Sequence, residues 1–298
     1  MPGDTNTDHR RGQFYVALAA VSWSTAGVMQ RELHVSTATQ IVGRAVFAAI
    51  AITMLVVFWE RGNTWHAFRS MGRNELALAV LMAAAMALFI FSLNHTSVAN
   101  VLFMQALAPF VAVVLARLVL GESASRRTWT ATFVAVAGVA LMAGGPGSGP
   151  VIGLVTSFLM TAAFAATIVL VRHGRDVSMA PALALSQILV IVAFAGFAKP
   201  GTIHRHDLLF LVLLGFGQMG LGQAFFSIGA RLIPATEVAV ITLLEVVLGP
   251  LWVWMAFTER PRTLTLLGGA IVLSAVVLQA TQRSAATVGS STLQGSAA

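Results

Sequence analysis

One carboxylate stands near the middle of a long apolar run in this chain: Glu245, within ATEVAVITLLEVVLGPLWVWMAF. It is the only acid at that depth in the sequence. A charge at the centre of a membrane helix costs about 2.5 to 3.5 kcal/mol on insertion scales. Such a side chain is therefore protonated, hydrogen-bonded to a neighbouring helix, or open to a wet cavity where it attracts an ammonium group or carries a coupling proton. Four amides make a related claim, since Gln105, Gln187, Gln218 and Gln223 also fall inside apolar runs. An uncharged amide both donates and accepts, so it binds either end of a zwitterion or bridges two helices. Trp23 falls in the middle of its run, away from the interfacial belt where tryptophan is enriched, and is expected to line a ligand path. Trp252 and Trp254 lie nearer a run end, as belt or packing residues do. Arg44, five residues into its run, either snorkels outward or partners a carboxylate. His95 and Asn100 flank a junction between two runs, where solvent exposure is the ordinary expectation. Glu237 stands in the first turn of the run that carries Glu245, where a carboxylate complements the helix N-terminus.

The runs that hold these residues dominate the composition. Hydrophobic residues make up 57% of the 298 and charged residues 10%, against roughly 25% charged in a soluble domain. The mean hydropathy is +0.84, and the composition is that of an integral membrane protein. There is no cysteine, so disulfides, thiolate metal sites and cysteine nucleophiles are excluded. Lys199 is the only lysine and precedes Pro200, so no phosphate-binding G-x-x-x-x-G-K can be written. The net charge of +7 comes from arginines scattered singly or in pairs between apolar runs, the pattern that orients a membrane protein and not one that grips nucleic acid. The four aspartates, Asp4, Asp8, Asp176 and Asp207, lie outside or at the edge of the runs, and neither H-E-x-x-H nor G-x-S-x-G occurs. An intramembrane enzyme therefore lacks its usual residues. No cofactor or metal site is expected.

A hydrocarbon core of about 30 Å needs about 20 apolar residues per helix, and ten runs qualify: 14–30, 39–59, 76–94, 97–120, 128–144, 151–171, 180–198, 208–229, 234–257 and 264–281. The expected fold is all-α. The polar, basic start resembles a signal-peptide n-region, but Ser22, Trp23 and Ser24 interrupt the first apolar core, and it reads as a retained helix. With the N-terminus inside, eleven arginines fall in cytoplasmic segments and five basic residues in outer ones, which favours both termini in the cytoplasm.

The same module occurs twice. Residues 96–122 lie over 233–259 at a constant offset of 137, and 19–31 lie over 160–172, with Trp23 opposite Phe164 and Arg31 opposite Arg172. With five spans in each copy the second enters the bilayer from the opposite side, the inverted symmetry that recurs in secondary transporters around a central cavity. The expected organisation is a cytoplasmic segment 1–13, a first five-helix repeat 14–144, a linker 145–150, a second repeat 151–281 and a disordered cytoplasmic tail 282–298. Pro109, and Gly249 with Pro250, fall inside corresponding runs. Each proline removes a backbone donor, so both runs are expected to bend there as hinges.

The A-L-A-P stretch at 106–109, L-G-E at 120–122, L-L-E at 243–245 and T-E at 258–259 resemble, in order and spacing, the duplicated EamA module of the drug/metabolite transporter superfamily. The resemblance covers residues 14–281 and is nearest to YddG-type exporters of aromatic amino acids. The second copy departs from it, with Val246 after Glu245 and the proline only at 250. The resemblance implies ten helices, cytoplasmic termini, a cavity between the repeats and export of amino acids from a bacterial inner membrane. The expected activity is thus alternating-access transport of an aromatic or other apolar amino acid in a lipid bilayer, with Trp23, Gln105, Gln187, Gln218, Gln223 and Glu245 lining the cavity. An exporter of cationic drugs, with Glu245 neutralising the ligand, is the nearest alternative. A sensor or scaffold stays open on the residues alone, although the sequence shows no soluble output domain.

Overall fold

The computed structural model describes residues 5–60, 64–121, 125–143, 150–173 and 179–278. Residues 145–149 of the linker, Glu122 of the L-G-E stretch, and the tail 282–298 lie outside them. Helix covers each of the ten apolar runs as far as they are described. The first run is α1 (Thr5–Ser24) and α2 (Ala26–Arg31), the second is α3 (Thr37–Glu60), and a short α4 (Thr64–Arg69) precedes α5 (Arg73–His95). The fourth run is split into α6 (Val98–Gln105) and α7 (Ala108–Leu120), and the fifth is α8 (Arg126–Ala143). The second half holds α9 (Val151–His173), α10 (Met179–Phe194), α11 (Arg205–Val212), α12 (Gly222–Gly229), α13 (Ala235–Phe257) and α14 (Thr263–Leu278). Six of these helical stretches are long and apolar enough to cross a membrane, or seven if α6 and α7, bent by 40° at their break, count as one span.

Burial is inverted relative to a soluble protein. Large apolar side chains such as Phe14, Met54, Phe58, Leu118, Phe133, Val192 and Met255 are exposed, while Gln30, Gln40, Arg44, Gln187, Gln218 and Glu245 are buried. A soluble monomer does not expose apolar surface on that scale. In a bilayer the outward face meets lipid, and the polar groups turn to the interior because unsatisfied polar atoms are costly in hydrocarbon. The helix buried all round is α6, whose residues Val98 to Met104 are all inaccessible.

The packing is reciprocal between the halves. α1 packs on α13, and its counterpart α9 packs on α6 and α7. α1 packs on α12 as α9 packs on α5, while α3 meets the stretch 213–221 as α10 meets α5. Glycines mark the same correspondence. A Cβ on Gly12 would meet Ile233 and Leu232, and one on Gly153 would meet the His95 carbonyl and Thr96. Gly138 and Gly268 face one another directly, each lying where the other's carbonyl approaches.

Three local differences from the sequence expectations have physical causes. α1 begins at Thr5 and so takes in most of the segment expected to precede the membrane. Its polar side chains find partners, since Glu237 in the first turn of α13 accepts from Gln13 Nε2 at 3.0 Å and lies 3.1 Å from His9 Nε2. Between α11 and α12 the chain is π-helical over Leu213–Leu221. Its i→i+5 bonding sets residues five apart over one another, which is how Gly215 and Gly220 both come to face α3, at Phe47–Ala48 and Ala51. Finally, the two prolines behave differently. Pro109 sits in the first turn of α7 just after a break, whereas Pro250 lies inside the continuous α13.

Candidate functional site

Arg44 is 3% exposed, and its guanidinium is turned inward, not snorkelled. Nη2 donates to Gln218 Oε1 at 2.7 Å, and the guanidinium carbon lies 5.6 Å from the centre of the Phe89 ring. Its Nε and Nη1 are buried without a hydrogen-bond partner among the described residues. An unpaired buried donor costs about 1 to 3 kcal/mol, and more on a charged group. A planar fork with free donors matches a carboxylate.

Glu245 supplies the opposite charge. It is 9% exposed on α13, takes a hydrogen bond from the Gln105 side chain, and feels the Arg44 charge across the interior. No ion pair within 4.0 Å joins Arg44 to Glu245 among the described residues, and the two groups interact electrostatically without direct contact. The break in the fourth run places Gln105. Pro109 has no N–H to offer the carbonyl four residues back, which is that of Gln105. The chain turns at Ala106 and Leu107, where Leu107 N–H bonds to Met104 O at 3.0 Å. Thr161 Oγ1 on α9 lies 3.1 Å from the same Met104 carbonyl and 2.8 Å from the Ser157 carbonyl, which sets α9 against the break.

Trp23 packs at Gly222, four residues along the chain from Gln218. Its neighbour Ser22 donates to the carbonyl of Gly217 at 3.2 Å, next to Gln218, and the Trp23 ring fits where Gly222 has no side chain, 5.2 Å from the Phe226 ring. Trp252 Nε1 donates to Ser24 Oγ at 2.9 Å, tying α13 to the end of α1. The structure thus brings together Arg44, Gln105, Gln218 and Glu245, with Phe89 under the guanidinium.

The remaining candidates are elsewhere. Gln187 is buried on α10 and donates to Ser186 Oγ at 3.1 Å. Gln223 reaches Ser227 Oγ at 3.4 Å on its own helix. His95 is stacked on Phe91 with Nδ1 2.7 Å from the Phe91 carbonyl. Asn100, expected at a solvent-facing junction, is 3% exposed and bonds to Thr96 and Thr265. Glu237 serves the α1–α13 contact already described. Gly249 sits where Leu102 of α6 crosses α13.

A second polar group was not singled out from the sequence. Gln40 Oε1 accepts from Gln30 Nε2 at 2.5 Å and from Asn94 Nδ2 at 2.6 Å. Close by, Arg31 donates to Glu259 at 3.0 Å and to the Leu93 and Thr96 carbonyls at 2.6 and 3.0 Å. The other Glu259 oxygen accepts Val98 N–H at 3.2 Å. These bonds lace the ends of α2, α5 and α13 to the starts of α3 and α6. The repeat gave one signal for it, since Arg31 and Glu259 each stand in the aligned stretches.

The EamA-like transporter family matches twice, over residues 10–144 and 151–281. The pseudopaline exporter CntI of Pseudomonas aeruginosa, strain UCBPP-PA14, is 27% identical over 272 residues, covering 88% of this chain and 94% of its own. YojE of Bacillus subtilis strain 168, an uncharacterized transporter, is 22% identical over 251 residues, covering 79% and 82%. A crystal structure with 15% sequence identity superposes with a TM-score of 0.64, covering 91% of this chain and 98% of that one, and it shares the fold. With its two family modules, apolar exterior and polar interior, the chain belongs to the EamA-like transporter family and is a multi-pass membrane transporter.

Proposed function

We propose that the chain exports amino acids, aromatic or otherwise apolar, by alternating access between two inverted five-helix repeats, 14–144 and 151–281. The observation that carries the reading is the Arg44 guanidinium, buried with two unpartnered nitrogens opposite the Glu245–Gln105 pair. A zwitterion satisfies both poles: its carboxylate takes the free donors of Arg44, and its ammonium takes Glu245. Gln218 holds Arg44 in place, Gln105 orients Glu245, and Phe89 with Trp23 offers aromatic surface to an apolar side chain. Gln187 and Gln223 stand further from this pair. The inverted arrangement draws support from the odd number of apolar runs in each half and from the reciprocal packing. The break between α6 and α7 supplies the interrupted helix beside the site. Export is the direction in the printed name of the Pseudomonas relative.

The experiment is flux of radiolabelled amino acids, with pseudopaline in the same panel, in proteoliposomes of the intact chain and of Glu245→Gln. Transport of an apolar amino acid is expected, falling about ten- to a hundredfold in the variant, the range of a charge-assisted hydrogen bond. An intact chain that moves no amino acid removes the reading. Cationic drugs are the second reading, resting on Glu245 alone. Arg44 disfavours it, because a second fixed positive charge repels a cation.

A further inference from the structure

We propose that His34, His206 and Asp207, with Glu32 beside them, bind a divalent transition-metal cation of the zinc class at one end of the bundle. Glu32 and His34 belong to the connection between α2 and α3, in the first half, and His206 and Asp207 to the first turn of α11, in the second. One ligand atom each from His34, His206 and Asp207 lie within 4.8 Å of one another. His34 Nδ1 is 4.0 Å from Asp207 Oδ1, and His206 Nε2 is 3.4 Å from Glu32 Oε2. A tetrahedral ion with bonds of about 2.0 to 2.2 Å holds its ligand atoms about 3.3 to 3.6 Å apart, so bringing the atoms of His34, His206 and Asp207 onto one ion needs movements of about an ångström each, and Glu32 would join through its contact with His206. The imidazoles are free to make them: the His34 and His206 side chains are 75% and 49% exposed, and their ring centres are 5.6 Å apart.

The carboxylate is already oriented. Asp207 is 2% exposed and accepts the backbone N–H of His34 at 2.8 Å and of His204 at 3.3 Å. These bonds tie the His34 backbone to the ligand oxygen itself, the fixing of a first ligand by its surroundings that metal sites require. The His206 ring is held on its other side by Phe210, with centroids 4.8 Å apart. Two imidazoles with carboxylates suit zinc, nickel or copper, whereas calcium and magnesium demand oxygen donors throughout. Hydrogen bonding alone accounts for Asp207, as the cap of α11. It does not account for two exposed imidazoles from separate halves converging on that cap with a second carboxylate behind them. The ion would link those halves beside the Arg31–Glu259 lacing.

The test uses the purified full chain with a histidine-free affinity tag in detergent, titrated with Zn²⁺ by calorimetry and with Co²⁺ by visible absorption. One saturable equivalent of Zn²⁺ is expected, with the intense Co²⁺ bands of a tetrahedral site. The double variant His34→Ala with His206→Ala loses both signals while keeping the metal-free melting temperature, since both side chains are exposed. Glu32→Gln weakens binding roughly tenfold or more, and a His66→Ala control binds as the parent does. An intact chain without saturable Zn²⁺ binding, or a double variant that binds as the parent does, overturns the proposal.

Discussion

Arg44 is the residue whose role depends most on three dimensions. Its position five residues into an apolar run leaves two directions open, outward along the helix or inward to a carboxylate. The sequence pattern does not choose between them, because the choice is made by Gln218, 174 positions away in a different helix. Glu245 and the amides were legible as costly groups in hydrocarbon, and two of the four amides, Gln105 and Gln218, join the charged pair. Gln187 and Gln223 are spent on serines one and four residues away, a local use that side-chain type alone does not reveal. Asn100 shows the same limit in reverse, since its junction is covered by Thr265 of α14. On the proposed reading, Arg44→Met raises the KM for a transported amino acid about ten- to a hundredfold, the loss of hydrogen bonds to a charge. Arg44→Lys recovers only part of this, because an ammonium lacks the planar fork. Initial rates of flux against concentration in proteoliposomes check both.

At the scale of elements, the ten helical runs followed from length and hydropathy, and their irregularities followed only in part. Pro109 signalled a break, and the helix breaks two residues earlier. Pro250 sent the same signal from the matching run, yet α13 continues through it. The π-helical stretch, with glycines at 215, 217 and 220, was not legible in the sequence pattern. Those glycines bear on stability unequally. A Cβ at Gly215 meets the backbone of Phe47 and Ala48, whereas one at Gly217 meets nothing within 4 Å. Gly215→Ala is therefore expected to destabilise the protein by about 1 to 3 kcal/mol, the usual cost of overpacking. Gly217→Ala leaves stability unchanged or raises it by about 0.5 to 1 kcal/mol through the loss of glycine's backbone freedom. Thermal or denaturant unfolding in one detergent compares the two, and equal effects would contradict the packing assigned to α3.

For the molecule as a whole, the repeat was readable because one offset persists over 27 residues of sequence with few identities. What the sequence could not supply was how the halves meet. They are interleaved, with the most extensive packing running between a helix of one half and a helix of the other, so that relative motion of the halves must remake the interior contacts around Arg44 and Glu245. On the proposed inverted arrangement, matching connections of the halves emerge on opposite faces. The native chain lacks cysteine, so single cysteines replacing Ser36 and Ser178 can be probed cleanly with a membrane-impermeant thiol reagent on intact cells. Ser36→Cys is expected to label from outside and Ser178→Cys only after the membrane is opened. Labelling of both from one face would contradict inversion.

The claim at the centre is that one interior site holds the two charges of an amino acid between Arg44 and Glu245. Its most direct measurement is competition in proteoliposomes, where flux of a labelled apolar amino acid is challenged with the unlabelled compound, its methyl ester and its N-acetyl derivative. The account predicts that the unmodified amino acid competes strongly and that each derivative, having lost one charge, competes at least about tenfold less. A methyl ester that competes as well as the parent would contradict it, because the free donors of Arg44 would then have no carboxylate to bind.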